Sequence, residues 1–259
     1  MPDLEPFFRN FELQLLILFV LGTFVGSFLN VVIIRMHQGR SFLWSRSACL
    51  ECKQPIKWYD NIPLLSFIIL QGKCRSCSQP ISKQYFLVEL VTGLIFIIGL
   101  WQLGLTLKLL AFLLFACFLV VIFVYDLRWY LILDKVSLPA AVIALLFNLY
   151  LGHPWQSLLL GGAIGSGFFL IQFIVSKGVW IGGGDIRLGL AAGFMLGWKS
   201  LLVALFLAYL SGSIFGLTLI AIKKKSMQSK LPFGTFLAAA TIVALLWGEQ
   251  IINWYLNIF

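Results

Sequence analysis

The sequence predicts an all-α polytopic membrane protein of about eight transmembrane helices, with a cytoplasmic zinc-binding loop after the first helix. Hydrophobic residues make up 61% of the 259 residues and charged residues only 11%, whereas charged residues account for about a quarter of a typical soluble domain. The apolar residues form long runs without strand-like alternation, which favours a helical bundle over a barrel. The first run has no small-residue cleavage site after it, so we expect it to remain in the mature chain.

Eight apolar runs are the candidates for these helices. The sixth run is short for a span, and its ends are the hardest to place. The predicted helices cover residues 12–34, 85–103, 107–125, 137–151, 156–176, 186–198, 200–222 and 235–257. The chain then divides into a first helix with a short external tail at 1–36, a polar loop at 37–84 and a membrane-embedded domain at 85–259.

The basic residues report the orientation of these helices. A net charge of +9 would suggest a nucleic-acid partner for a soluble protein, but in a membrane protein Lys and Arg mark the cytoplasmic connections. With an external amino terminus, 16 of the 19 basic residues fall on one side. We therefore expect a cytoplasmic loop, external termini and no nucleic-acid partner. The 16 residues are Arg35, Arg40, Arg46, Lys53, Lys57, Lys73, Arg75, Lys83, Arg128, Lys135, Lys177, Arg187, Lys223, Lys224, Lys225 and Lys230, and the exceptions are Arg9, Lys108 and Lys199.

Two CxxC pairs stand in the polar loop, Cys49 with Cys52 and Cys74 with Cys77, separated by 21 residues. Two such knuckles can bring four thiolates to the corners of the tetrahedron that zinc prefers. Disulfides or redox-active pairs are the alternatives. The predicted cytoplasmic location disfavours stable disulfides, and a small loop with little core gains folding free energy from a metal. The doubled spacing therefore favours structural zinc.

Two polar residues near the loop lie inside apolar runs. Asn30 follows Gly22 and Gly26 at helical spacing, a pattern of small residues that packs against another helix in lipid. Its amide serves either a structural hydrogen bond or a ligand. Glu89 lies just inside the second predicted helix and is either an end charge that reaches water or a functional group.

Asp126 and Asp185 are the carboxylates that the predicted topology brings to the same membrane face. Asp126 ends the third predicted helix, while Asp185 follows three glycines, Gly182, Gly183 and Gly184, and precedes the sixth. The glycines form either a flexible hinge or a place where another segment approaches closely. Two adjacent carboxylates share one proton, so that one activates water while the other protonates a carbonyl. Proton-coupled transport is the alternative, although it predicts polar groups deep along several helices.

Taken together, these residues resemble the type IV prepilin leader peptidase family, which are membrane aspartic proteases of the GxGD type. The resemblance covers nearly the whole chain. It rests on the segments Gly26–Arg35, the CxxC pairs flanking Asn61–Ser66, Gly72–Cys77, Pro80–Tyr85 with Glu89, Tyr125-Asp126, Gly182–Asp185 and Pro232–Gly234.

The resemblance implies a bifunctional enzyme in a bacterial inner membrane. Asp126 and Asp185 would be the catalytic pair that removes the basic leader of prepilins and pseudopilins after a glycine, at the cytoplasmic face. Members with the cysteine loop also methylate the new amino terminus with S-adenosylmethionine. We expect Asn30, Arg35, Gly72 and Glu89 near that cofactor. The competing hypotheses are a proton- or cation-coupled transporter with a zinc loop and an assembly component that docks through the loop.

The chain departs from the family pattern at three places. The family often has Leu-Pro-Asp where this chain has Leu133-Asp134, and often has Lys where this chain has Arg187. Its Pro-Phe-Gly-Pro motif ends here in Thr235. The first departure weakens any catalytic role for Asp134, and the second keeps the charge with a different geometry. We expect none of the three to touch the acidic pair.

Overall fold

The protein is helical throughout the part that the structure describes. This computed structural model describes residues 10–41, 48–49, 51–222 and 231–258, in which the only β-type pairing is two isolated bridges. The chain forms two compact units, Met1–Leu105 and Thr106–Phe259. The predicted all-α class is confirmed. The basic residues Arg9, Arg46, Lys223, Lys224, Lys225 and Lys230 of the topology prediction lie outside the described residues.

The first unit pairs two long helices and carries the cysteine loop between them. Helix α1 (Phe11–His37) packs against α3 (Lys83–Leu103). The backbones meet where Gly26 has no side chain, because a Cβ there would lie 2.8 Å from the Cα of Glu89. The loop contributes a 3-10 turn (Trp58–Asn61) and the short helix α2 (Leu65–Ile69). Phe67 of α2 packs against Phe86 of α3, which docks the loop on the helix pair.

The second unit is a five-helix bundle. Its helices are α4 (Leu107–Trp129), α5 (Asp134–Tyr150), α6 (Trp155–Val175), α7 (Gly183–Ala221) and α8 (Phe233–Leu256). Helix α7 packs against α5, α6 and α8, and α4 packs against α5 and α8. The amino-terminal ends of α7 and α8 and the carboxyl end of α4 carry the polar residues described below.

Six helices are long and apolar enough to cross a membrane by length and composition: α1, α3, α4, α6, α7 and α8. The count of eight is not confirmed. Helix α5 has 17 residues, just short of that length. The predicted boundary between the helices at 186–198 and 200–222 is present, because Gly197 takes a non-helical φ of 69° and divides α7 into two helical segments across a kink. The chain is therefore a multi-pass membrane protein with fewer candidate spans among the described residues than the sequence suggested.

Glycines set the contact between α6 and α7. A Cβ on Gly161 would lie 2.6 Å from the carbonyl oxygen of Gly193, and one on Gly165 would overlap the carbonyl of Gly189. Such direct backbone contact is how helices associate in lipid, where packing rather than the hydrophobic effect holds them together. The spacing of Gly161, Gly162, Gly165 and Gly167 in the sequence predicts one packing surface, but Gly167 meets no described atom within 4 Å, so its place on that surface is wrong.

Candidate functional site

Asp126 and Asp185 lie in the second unit and are both buried, with 5% and 9% of their surface exposed. Asp126 belongs to the last turn of α4, and Asp185 to the first turn of α7. The two carboxylates are close enough to interact electrostatically. Ile132 lies beside both helix starts that hold them, since a Cβ on Gly184 or on Gly234 would fall within 2.8 Å of its side chain. The fold thus brings together two residues that are 59 positions apart in sequence.

Each carboxylate is held at the start of a helix. Oδ2 of Asp185 accepts a hydrogen bond of 3.1 Å from the Gly182 N–H, at the start of α7. Oδ2 of Asp126 accepts one of 2.8 Å from the Thr235 N–H, in the first turn of α8. Free N–H groups and the positive end of the helix dipole offset part of the cost of burying a carboxylate.

The three glycines before Asp185 differ in their surroundings. A Cβ on Gly184 would lie 2.8 Å from the Cβ of Ile132. A Cβ on Gly183 would meet no described atom within 4 Å. A Cβ on Gly182 would make only ordinary contacts with described atoms of its own turn. Only Gly184 is therefore needed for a close approach within the chain, and the backbone at all three has negative φ among the described residues.

Asp134 has a structural partner. Its sequence position just before a predicted helix suggests a capping role, but α5 begins at Asp134 itself, with Leu133 at the cap position and no side-chain cap. The Asp134 carboxylate instead pairs with Arg187, one turn from the start of α7. Both side chains are about half exposed, so the pair joins the starts of α5 and α7 at the surface.

Thr235 contradicts the expectation that the departures from the family pattern leave the acidic pair untouched. Its N–H and its hydroxyl both reach Oδ2 of Asp126, at 2.8 and 3.2 Å. The sequence showed the unusual residue, but no local pattern links positions that are 109 residues apart. Tyr209 was also missed; its hydroxyl donates to Gln172 and lies within electrostatic range of Asp185.

The four loop cysteines converge in the first unit. Their sulfur atoms all lie within 4.8 Å of one another, and no disulfide joins them. Sγ of Cys49 lies 3.9 Å from Sγ of Cys77, close to the separation of about 3.8 Å that zinc–sulfur bonds of 2.3 Å give in a tetrahedron. The predicted cluster is therefore present and can hold a metal ion.

The two knuckles are built alike. The N–H of each leading cysteine donates to a carbonyl five residues on, Cys49 to Gln54 at 3.0 Å and Cys74 to Gln79 at 2.8 Å. The residue after each second cysteine has positive φ, which closes the turn. Backbone N–H groups of Cys77 and Ser76 lower the pKa of Cys74 to about 7. A thiol that ionises this readily is suited to bind a metal as thiolate.

The residues expected near a methyl donor lie in the first unit, and each has its own hydrogen-bond partners. Asn30 is fully buried; its amide donates to the Tyr85 carbonyl and accepts from Gln84, both at 3.1 Å. Glu89, 6% exposed, accepts a hydrogen bond of 2.9 Å from the Leu64 N–H. The contacts thus place Asn30 and Glu89 at one crossing of α1 and α3.

Gly72 and Arg35 are less closely tied to that crossing. Gly72, with φ of 69°, packs on Phe67 and accepts a hydrogen bond from the Ile81 N–H at 2.7 Å. Arg35 lies in the last turn of α1. Oε1 of Gln84, beside Asn30, is buried and has no hydrogen-bond partner among the described residues. Gln84 is a buried polar residue of the first unit that the sequence did not single out, because nothing in the neighbouring sequence distinguishes it from other polar residues.

Models of known protein families match a region in each of the two units. The bacterial peptidase A24 N-terminal domain matches residues 20–103, and the type IV leader peptidase family matches residues 113–217. A prepilin leader peptidase/N-methyltransferase of Aeromonas salmonicida is 36% identical, with 93% of each chain covered.

The chain belongs to the type IV leader peptidase family. The proteins of the same name from Aeromonas hydrophila and Bacillus subtilis are 35% and 33% identical. The alignments cover 94% of this chain in both cases, and 94% and 98% of the two relatives. No solved structure matches. Within this leader peptidase, the acidic pair lies in the region matched by the family itself, and the cysteine cluster lies in the region matched by the N-terminal domain.

Proposed function

We propose that the chain is a bifunctional prepilin peptidase. It removes the leader of type IV prepilins and pseudopilins after a glycine, and then methylates the new amino terminus. The observation that carries the first activity is the acidic pair, two buried carboxylates near enough to influence each other electrostatically, each hydrogen-bonded at a helix start. The names of the relatives support both activities. Those names give no support to the transporter alternative or to a docking component.

Peptide hydrolysis follows from the chemistry of two neighbouring carboxylic acids. One carboxylate accepts a proton from water, whose oxygen attacks the scissile carbonyl carbon while the protonated partner donates to the carbonyl oxygen. The C–N bond then breaks, and the leaving amine takes up a proton. Asp126 and Asp185 are the proposed pair. Burial excludes bulk water, which strengthens the interaction of both groups with the substrate.

The first unit has polar groups that fit a methyl donor. Oε1 of Gln84, which no described residue contacts by a hydrogen bond, and the buried Glu89 carboxylate are acceptors suited to hydroxyl or ammonium groups, and Asn30 accepts a hydrogen bond from Gln84. We assign Asn30, Arg35, Gly72 and Glu89 to the neighbourhood of S-adenosylmethionine. The sulfonium of that cofactor supplies a methyl group to an uncharged amine. The residues of this chain hold the donor and exclude water.

The loop metal is proposed to be zinc, bound by Cys49, Cys52, Cys74 and Cys77. Four thiolates with no open position make a structural rather than a catalytic site. The positive-inside distribution of Lys and Arg supports a cytoplasmic location for this loop and for the acidic pair, in the inner membrane of a bacterium, with external termini. The first helix, loop and peptidase domain would then be 1–36, 37–84 and 85–259.

Co-expression with a matched prepilin tests the peptidase activity. Asp126→Asn or Asp185→Asn is expected to lower leader cleavage by about 1,000-fold, because general acid–base catalysis commonly contributes 10²–10⁴ in rate. The readout is the ratio of precursor to mature pilin on gels and by mass spectrometry. Asp60→Asn, which alters a carboxylate in the first unit, is the control and should cleave normally. Full cleavage by either variant of the pair would refute the proposed dyad.

A further inference from the structure

In the part of the chain that the structure describes, Thr235 at the start of α8 donates the hydrogen bonds that reach the Asp126 carboxylate from outside its own helix. Both the N–H and the hydroxyl of Thr235 donate to Oδ2 of Asp126, at 2.8 and 3.2 Å. Both residues are 5% exposed, so the contact lies inside the bundle. Two donors on the same oxygen restrict rotation of the carboxylate, and no hydrogen bond from a described residue falls on Oδ1.

The start of α8 has little room for the carboxylate to turn elsewhere. A Cβ on Gly234 would lie 2.9 Å from Oδ2 of Asp126 and 2.7 Å from Cδ1 of Ile132. The carboxylate therefore packs directly against the backbone of the first turn of α8. Asp185 is the titratable group that interacts with it across the site. The contacts of Thr235 and the packing of Gly234 thus both fall on the same oxygen, Oδ2 of Asp126.

We propose that Thr235 is a positioning residue for peptide hydrolysis, orienting Asp126 so that Oδ1 reacts with water or the scissile carbonyl. This inference rests on the proposed function. A proline at this position would have neither a hydroxyl nor an N–H. The orientation in this chain therefore depends on the particular residue that stands there, and not only on the glycine before it.

Three substitutions separate the two hydrogen bonds. Thr235→Val removes the hydroxyl, and Thr235→Pro removes both donors at a first-turn position where helices tolerate proline. Thr235→Ser keeps both donors. Cleavage of a purified prepilin should show kcat lowered about 3- to 10-fold for Val, more for Pro, and within about 2-fold of wild type for Ser, with KM unchanged.

Thr241→Val is the matched control. Thr241 is fully buried in the same helix, and its hydroxyl donates to the carbonyl of Leu237, so kcat should be unchanged. Thermal unfolding of each purified variant shows whether it is folded; if Pro unfolds the chain, Val and Ser decide. The proposal is overturned if Val keeps the wild-type kcat, if Ser loses as much as Val, or if only KM changes. A wild-type chain that cleaves no prepilin would instead refute the proposed function.

Discussion

At the scale of single residues, N–H groups at helix starts stabilise the two buried carboxylates by hydrogen bonding. Asp185 binds the N–H of its own helix cap, whereas Asp126 binds a helix that begins more than a hundred residues later. An unpaired buried carboxylate would be costly to keep ionised. An N–H donor at a helix start stabilises a carboxylate without the full positive charge of a lysine or arginine, which would favour ionisation of both acids at once.

The glycine run before Asp185 gives a residue-scale prediction. Gly184→Val is expected to lower the cleavage rate by 10-fold or more. The new Cβ would lie 2.8 Å from the side chain of Ile132, so the start of α7 must shift. A shift of a catalytic group by up to about 1 Å costs roughly this much in rate. Gly183→Val is the matched change, because no described atom lies within 4 Å of its Cβ position. Initial rates on one prepilin substrate measure both. Equal loss in the two variants would mean that the run serves as a hinge or contacts the substrate along its length.

At the scale of helices, direct backbone contact holds the second unit together. The α6–α7 interface relies on Gly161 and Gly165 against Gly193 and Gly189, where no side chain fits between the backbones. Asp185 lies in the first turn of α7, so the position of that carboxylate depends on this interface. The kink at Gly197 divides α7 into two segments within one element.

This interface predicts opposite effects of one substitution at two positions in α6. Gly165→Ala should destabilise the fold by about 1–3 kcal/mol, the usual cost of overpacking, since its Cβ would overlap the Gly189 carbonyl. Gly167→Ala should be neutral or stabilise by up to about 1 kcal/mol through helix propensity. Thermal unfolding in detergent measures both. A stable Gly165→Ala variant would mean that the two helices can separate without cost.

In the loop of the first unit, an ion pair links one knuckle to the segment that reaches Glu89. Arg75, between the two cysteines of the second knuckle, donates to Asp60 at 2.6 to 3.1 Å, and its hydrogen bonds lower the pKa of Asp60. Four residues after Asp60, the N–H of Leu64 binds Glu89. The cysteine cluster and the buried carboxylate are thus joined through one short stretch of chain.

At the scale of the whole molecule, the two compact units contain different candidate sites. The cysteine cluster and the buried polar groups of α1 and α3 lie in the first unit, and the acidic pair lies in the second. This division matches the two family regions, 20–103 and 113–217. Loss of one activity should therefore not require loss of the other.

The division predicts separable activities. Cys49→Ser is expected to remove the bound metal and to abolish methyl transfer to a pre-cleaved pilin peptide, because a small loop depends on its metal to fold. Leader cleavage should fall less than about 3-fold, since the acidic pair is untouched. Metal content, transfer of labelled methyl from S-adenosylmethionine and prepilin cleavage are measured on the same preparation.

Cys117→Ser is the control, because this cysteine stands outside the cluster in α4. It should retain the metal and both activities. Normal methyl transfer by the metal-free variant would contradict a structural role for the cluster in that reaction. No transfer by the wild-type chain would instead refute the methyltransferase assignment.

Local chemistry determined much of this protein from its sequence. Apolar runs predicted the helices because lipid demands them, and the CxxC spacing predicted the cluster because both knuckles are short-range turns. Asp126 and Asp185 stood out as carboxylates at the ends of apolar runs. The tertiary structure alone decided that Thr235 holds Asp126, that Ile132 packs on Gly184, and that Gly167 stands apart from its neighbours. These contacts join distant segments, and periodicity along a chain carries no information about which atoms meet across a bundle.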